Sequence, residues 1–169
     1  MKNIALVGFM GTGKTTIGMR LARKLGYTFV DSDNEVEREQ GVSVSHIFSE
    51  LGEPRFRELE KGMLKRLSQR KGLVISAGGG AVIDPENVDS LKKGGPVVCL
   101  TAKAEVIYDR IKHSTHRPLL HVDDPLAKIK ELLDVRAPFY ARADITVDTS
   151  GLTHDEVVEM VLKAVEGRL

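Results

Sequence analysis

The octapeptide Gly8-Phe9-Met10-Gly11-Thr12-Gly13-Lys14-Thr15 fits the pattern G-x-x-x-x-G-K-[ST], and that pattern carries a chemistry. Its glycines let backbone N–H groups curl around phosphate oxygens with no side chain in the way. Lys14 can reach the β- and γ-phosphates of a nucleoside triphosphate, and the Thr15 hydroxyl can ligate Mg²⁺. The competing reading is a glycine-rich turn that merely joins a strand to a helix. Context separates the two. The apolar run Ile4–Val7 precedes the motif, and Ile17, Leu21 and Leu25 follow at helical spacing before Gly26. This is the strand–loop–helix setting that a phosphate loop requires, and the helix N-terminus adds its positive dipole end.

Asp31 and Asp33 leave a second strand-like run, Tyr27–Val30, on alternate residues. Their carboxylates therefore share one face of the extended chain. At the carboxyl end of a parallel strand one could serve the hydration shell of a metal and the other a substrate hydroxyl. Asp33 also stands where it could cap a following helix. Gly78-Gly79-Gly80 ends a third run, Leu73–Ala77. Three glycines cost backbone entropy, so close approach of their N–H groups to a ligand is the better reason for them than a bare connection. Ser76 occupies the strand that often supplies an acid to the metal, leaving Mg²⁺ to Thr15 and, through water, Asp31.

Four arginines complete the candidate set: Arg57, Arg110, Arg117 and Arg136. Taken singly, each reads as a solvated surface residue. Arg117-Pro118 lies in the aperiodic stretch His113–Pro125, from which it could close over a transferring phosphate. Arg57 projects from a helix opened by Pro54, and Arg136 from one ending near Pro138, but periodicity does not say which way they point.

The elements that must position these residues alternate along the chain. After the third strand, Asp84-Pro85 opens a helix, Pro96–Leu100 is a fourth strand, and Thr101 can cap a helix running to Lys112. Leu126, Ile129 and Leu133 resume helical spacing, Ile145–Val147 is a fifth strand, and Thr153 with Glu156 forms a capping box. Such alternation predicts an α/β fold, a parallel sheet with helices on both faces. The chain has 169 residues, 41% of them hydrophobic and 29% charged, which suits one globular domain over residues 1–169. A net charge of +1 argues against a general nucleic-acid or membrane-surface binder. The single cysteine, Cys99, excludes an internal disulfide, reads as a buried strand residue and fits a cytoplasmic protein.

Taken together, Gly8–Thr15, Asp31-Ser32-Asp33, Gly-Glu-Pro-Arg-Phe-Arg at 52–57, Gly78–Gly80, Arg117-Pro118-Leu119-Leu120 and Arg136-Ala-Pro-Phe-Tyr140 resemble the shikimate kinases over the whole chain. The resemblance implies a fold like that of the nucleoside monophosphate kinases, a five-stranded parallel sheet with a substrate-binding region at 33–60 and a mobile lid at 112–124. It implies transfer of the γ-phosphate of ATP to the 3-hydroxyl of shikimate; a monomer is the expectation, although the sequence does not reveal the oligomeric state. Gly11, Thr12, Gly13, Lys14, Thr15, Thr16, Arg110 and Arg117 would contact ATP, Arg110 by packing on adenine. Asp33 would bond the reacting hydroxyl and act as base. Arg57 and Arg136 would grip the substrate carboxylate beside the Gly78–Gly80 backbone. His154 departs from the pattern, standing where relatives often carry proline in the loop that lines adenine. His113, His116 and His121 in the lid lack a fourth ligand at zinc spacing and read as a solvated or nucleotide-facing loop. Two rivals stay open: a gluconate-type kinase, which needs no arginine pair for a carboxylate, and an ATP-binding regulatory module without turnover.

Overall fold

The computed structural model describes residues 1–114 and 121–169; Arg117 and His116 lie outside them. Among the described residues are β1 (Ile4–Val7), α1 (Lys14–Leu25), β2 (Thr28–Asp31), α2 (Ser32–Gln40), α3 (Val44–Leu51) and α4 (Glu53–Ser68). There follow β3 (Leu73–Ser76), a single 3₁₀ turn (Ala81–Ile83), α5 (Pro85–Gly94), β4 (Val97–Thr101), α6 (Ala104–Ile111), α7 (Pro125–Tyr140), β5 (Ile145–Asp148) and α8 (His154–Val165). The strands form one parallel sheet in the order β2-β3-β1-β4-β5.

Side chains alternate across this sheet and build a core on each face. Ala5, Val7, Val30 and Ile75 join one core with residues of α4, α5 and α7. Ile4, Leu6, Val74 and Val98 join the other with Ile17, Leu21, Val157 and Val161 from α1 and α8. Register decides where the loops emerge: Asp31 is level with Ser76, and Ser76 with Leu6. The phosphate loop, the Asp31–Asp33 turn and the triple glycine therefore leave the sheet side by side, where ligands bind in open parallel sheets.

Several boundaries differ from those the sequence suggests. The cap of α2 is Asp31, not Asp33: Asp31 is extended (φ −99°, ψ 123°) and its Oδ1 accepts from the backbone N–H of Asp33 and Asn34. Thr101 stays in β4 because it pairs with Asp148 of β5, and α6 starts after Lys103 with no side-chain cap. Helix α7 continues through Pro138 to Tyr140, closed by the Ala141 N–H on the Ala137 carbonyl. The region 33–60 holds a short helix, α3, that periodicity did not reveal. The Thr153–Glu156 capping box forms as expected.

Gly95 passes so close to the strand β1 entry that a Cβ there would lie 1.9 Å from the Asn3 carbonyl oxygen. Asn3 is itself buried, bonding Arg70 and Leu73 backbone through its side chain. Gly95→Ala is expected to destabilise the fold by roughly 1–3 kcal/mol, as overpacking does. Urea unfolding checks this, and an unchanged midpoint would contradict it.

Candidate active site

The phosphate loop is shaped by Gly11 and Gly13, whose φ values of 77° and 95° are left-handed and suit glycine. Gly13 is the N-cap of α1 but brings no side chain, and the first turn holds no acid. Helices α2, α3, α5, α7 and α8 close their N-termini with Asp31, Ser43, Asp84, Asp124 and Thr153. Helix α1, like α4 and α6, has no side-chain cap. Of these three it alone follows the glycine-rich loop, so its first N–H groups face that loop's concavity. The Thr12 hydroxyl is buried and donates to the Phe9 carbonyl at 2.7 Å, so Thr12 shapes the loop and only its backbone can face a nucleotide. The Lys14 ammonium donates to the carbonyls of Gly8 (2.6 Å) and Phe9 (3.1 Å), and Thr15 and Thr16 are exposed beside it.

Asp33 projects from the first turn of α2 toward the triple glycine. A Cβ on Gly78 would lie 3.0 Å from Asp33 Oδ1 and 3.1 Å from Glu60 Oε2. Both oxygens are buried and accept no hydrogen bond from the described residues. Burial first, then the Asp31 charge, pushes the Asp33 carboxyl up to about 6, against the pull of Arg57 and Lys14. Burial also raises Glu60, only 1% exposed.

The same three glycines meet the arginines. A Cβ on Gly80 would lie 2.6 Å from Arg57 Nη2, and one on Gly79 would lie 3.7 Å from Arg136 Nη1. The approach is tightest at Gly78, which faces the carboxylates, and at Gly80, which faces the mobile end of Arg57, whereas Gly79 is in ordinary contact with Arg136 and the phosphate loop. The two arginines are held differently. Arg57 pairs with Glu60 (2.8 Å) and Glu53 (3.3 Å). Arg136 sits over the Phe9 ring, 5.4 Å from its centroid, and forms no ion pair among the described residues. Its charge therefore remains available to an anion.

A family model described as shikimate kinase matches residues 10–166. A shikimate kinase of Thermodesulfovibrio yellowstonii is 50% identical over 166 residues, 98% of this chain and 96% of that relative. The solved structure of a shikimate kinase from Acinetobacter baumannii in complex with shikimate superposes with a TM-score of 0.91 at 40% identity, covering 98% of this chain and 93% of that one. The chain belongs to the shikimate kinase family. Membership makes it an ATP-dependent kinase of shikimate, and sets aside the gluconate-type and non-catalytic readings. A further member, from Aquifex aeolicus, superposes with a TM-score of 0.86 at 40% identity, covering 98% of this chain and 96% of that one.

Within this shikimate kinase fold the expected residues fall into two groups. Asp33, Arg57, Arg136 and Gly78–Gly80 converge, and Lys14–Thr16 line the adjoining loop. Arg110 stands apart on α6, donating to the Gly11 carbonyl and to the Thr149 hydroxyl, both at 3.0 Å, and to the Thr149 carbonyl at 3.2 Å. Arg110 remains exposed beside those bonds. His154 is exposed at the first position of α8, where proline is also well accommodated, and the cap beside it is intact. Cys99 is buried, with its thiol pushed up to about 11. The sequence left Glu60 unmarked, and it showed Phe9 and Tyr140 only as motif residues without a role. Glu60 lies three residues after Arg57 on one helix face, and that spacing was a usable signal.

Proposed function

We propose that this site moves the γ-phosphoryl group of ATP in line onto the 3-hydroxyl of shikimate, with Asp33 taking the hydroxyl proton. The observation that carries this is the Asp33 carboxylate, whose buried Oδ1 lacks a donor from the described residues beside the phosphate loop. A buried acceptor of that kind asks for a ligand hydroxyl. With its carboxyl near 6, Asp33 is ionised at neutral pH yet basic enough to receive a proton as the oxygen attacks. Lys14 swings from the loop carbonyls to the β- and γ-phosphates, and the loop N–H groups of Gly11–Thr16 cradle them. Arg117 brings a further positive charge from the lid at 112–124, and Arg110 packs on adenine.

The substrate carboxylate lies between Arg57 and Arg136, against the Gly78–Gly80 backbone. Arg136 supplies most of the net charge, since Arg57 is already balanced by Glu53 and Glu60. Residues 33–60 form the substrate-binding region of a single kinase domain, acting as a cytoplasmic monomer. No described helix is long and apolar enough to cross a membrane.

The donors present suit Mg²⁺. Thr15 offers an exposed hydroxyl, and no group of three His, Cys, Asp or Glu side chains able to hold a metal occurs among the described residues. A cation held by Thr15, phosphate oxygens and water is the common Mg²⁺ arrangement. Asp31 has one oxygen committed to capping α2, so it would serve through water. When bound, Mg²⁺ supplies charge that offsets the phosphates.

Arg136→Ala tests the clamp. Losing a charge-assisted bond worth roughly 1.5–3 kcal/mol is expected to raise the KM for shikimate by about 10- to 100-fold. The KM for ATP should move much less. Steady-state kinetics with each substrate varied check this, and a larger effect on ATP would overturn the assignment.

A further inference from the structure

Tyr140 is the last residue of α7 and is 8% exposed. Its ring belongs to the core that includes Phe9, Ala77 and Ile129, and its hydroxyl donates to the Gly79 carbonyl at 2.8 Å. A phenol has one proton to give, so its lone pairs are left for a donor. Arg136 is the charged neighbour of that hydroxyl: its Nη1 lies 3.7 Å from where a Cβ on Gly79 would stand, beside the same glycine whose carbonyl Tyr140 holds, and its influence on the phenol opposes that of burial. Arg136 precedes Tyr140 by four residues, which places the two groups on one helix face.

We propose that Tyr140 is a positioning residue for the acid substrate: its hydroxyl ties Arg136 to the Gly79 carbonyl and so fixes the face on which the substrate carboxylate docks. The proposal rests on the reading that Arg136 grips that carboxylate. The contrast between the two arginines is its main support. Arg57 is oriented by carboxylates, which also cancel its charge. Both guanidinium groups lie over a ring, Arg57 over Phe56 and Arg136 over Phe9, but Arg136 has the Tyr140 phenol and the Gly79 backbone beside it in place of carboxylates, so its charge is not neutralised. A carboxylate in place of Tyr140 would hold Arg136 as firmly and would compete with the substrate. The second bond matters equally. With its carbonyl held by Tyr140, Gly79 keeps its place beside Arg136 and the phosphate loop, and the peptide N–H groups that follow keep their direction.

Tyr140→Phe keeps the ring and removes the hydroxyl. From the net worth of one or two hydrogen bonds, the KM for shikimate is expected to rise roughly 3- to 10-fold, with kcat and the KM for ATP within about twofold. In an Arg136→Ala background the same substitution is expected to add less than about twofold, because its effect passes through Arg136. An unchanged shikimate KM in the single variant overturns the proposal. So do equal losses in kcat and both KM values, which mark a structural role, and so does the same multiplicative loss in both backgrounds. If Arg136→Ala itself leaves the shikimate KM unchanged, the clamp fails and takes this proposal with it. If Arg136→Ala raises that KM and Tyr140→Phe does not, only the role of Tyr140 is overturned.

Discussion

Lys14→Ala is expected to reduce kcat by at least about 10³-fold, the scale of losing a principal charge stabiliser in phosphoryl transfer. The chemistry requires little of the protein except position and charge, and the first turn of α1 supplies both from one short segment. Lys14 is only partly buried and contributes no apolar surface to either core. Its bonds to the Gly8 and Phe9 carbonyls tether the loop, so a modest loss of stability accompanies the substitution. A coupled ADP-release assay alongside thermal unfolding measures both. A folded Lys14→Ala protein with near-normal turnover would remove the phosphate-loop assignment.

Asp33→Asn carries the second large effect, with an opposite sign for stability. Removing the base is expected to slow kcat by roughly 10²-fold or more. In the parent enzyme, activity should fall as pH drops through about 6, because protonated Asp33 can no longer receive the hydroxyl proton. Stability follows from the same shift. A carboxyl moved from 3.8 to about 6 by burial holds its proton more tightly when folded than when unfolded. Ionising it therefore costs stability, a cost that grows as pH rises from about 4 to about 6 and is complete above that. The neutral amide avoids that cost, so Asp33→Asn should be more stable than the parent at pH 8 by up to about 3 kcal/mol, with the gain fading near pH 4. Such a trade of stability for function is common at active sites. A variant that loses affinity for shikimate but keeps kcat would make Asp33 a positioning group. Equal stability at pH 8 would place the Asp33 charge in water.

Much of this arrangement is legible in residue order. The strand Ile4–Val7, the glycine spacing to Lys14 and the helix beyond it are contiguous, and phosphate binding by backbone N–H groups depends on that local geometry. The capping box at Thr153 and Glu156 is equally local. Boundaries set by neighbours were not legible. Thr101 has good capping chemistry, yet its pairing with Asp148 keeps it extended. Pro138 reads as a helix end, yet the turn continues so that Tyr140 can reach the core.

The sequence by itself determined that a phosphate moves, that the fold alternates strands and helices around one parallel sheet, and which residue types were on hand for an acid substrate. Tertiary structure alone decided what each of them can do. It made Asp31 the cap and left Asp33 Oδ1 without a donor among the described residues, because one carboxylate meets two backbone N–H groups and the other is buried beside Glu60. It also gave Arg57 two carboxylate partners, and Arg136 a phenol and a ring. Spacing along a chain records which groups can share a helix face or a strand edge. It does not record desolvation, or the few ångströms between residues such as Gly79 and Tyr140, which are brought together only when the sheet and its helices close.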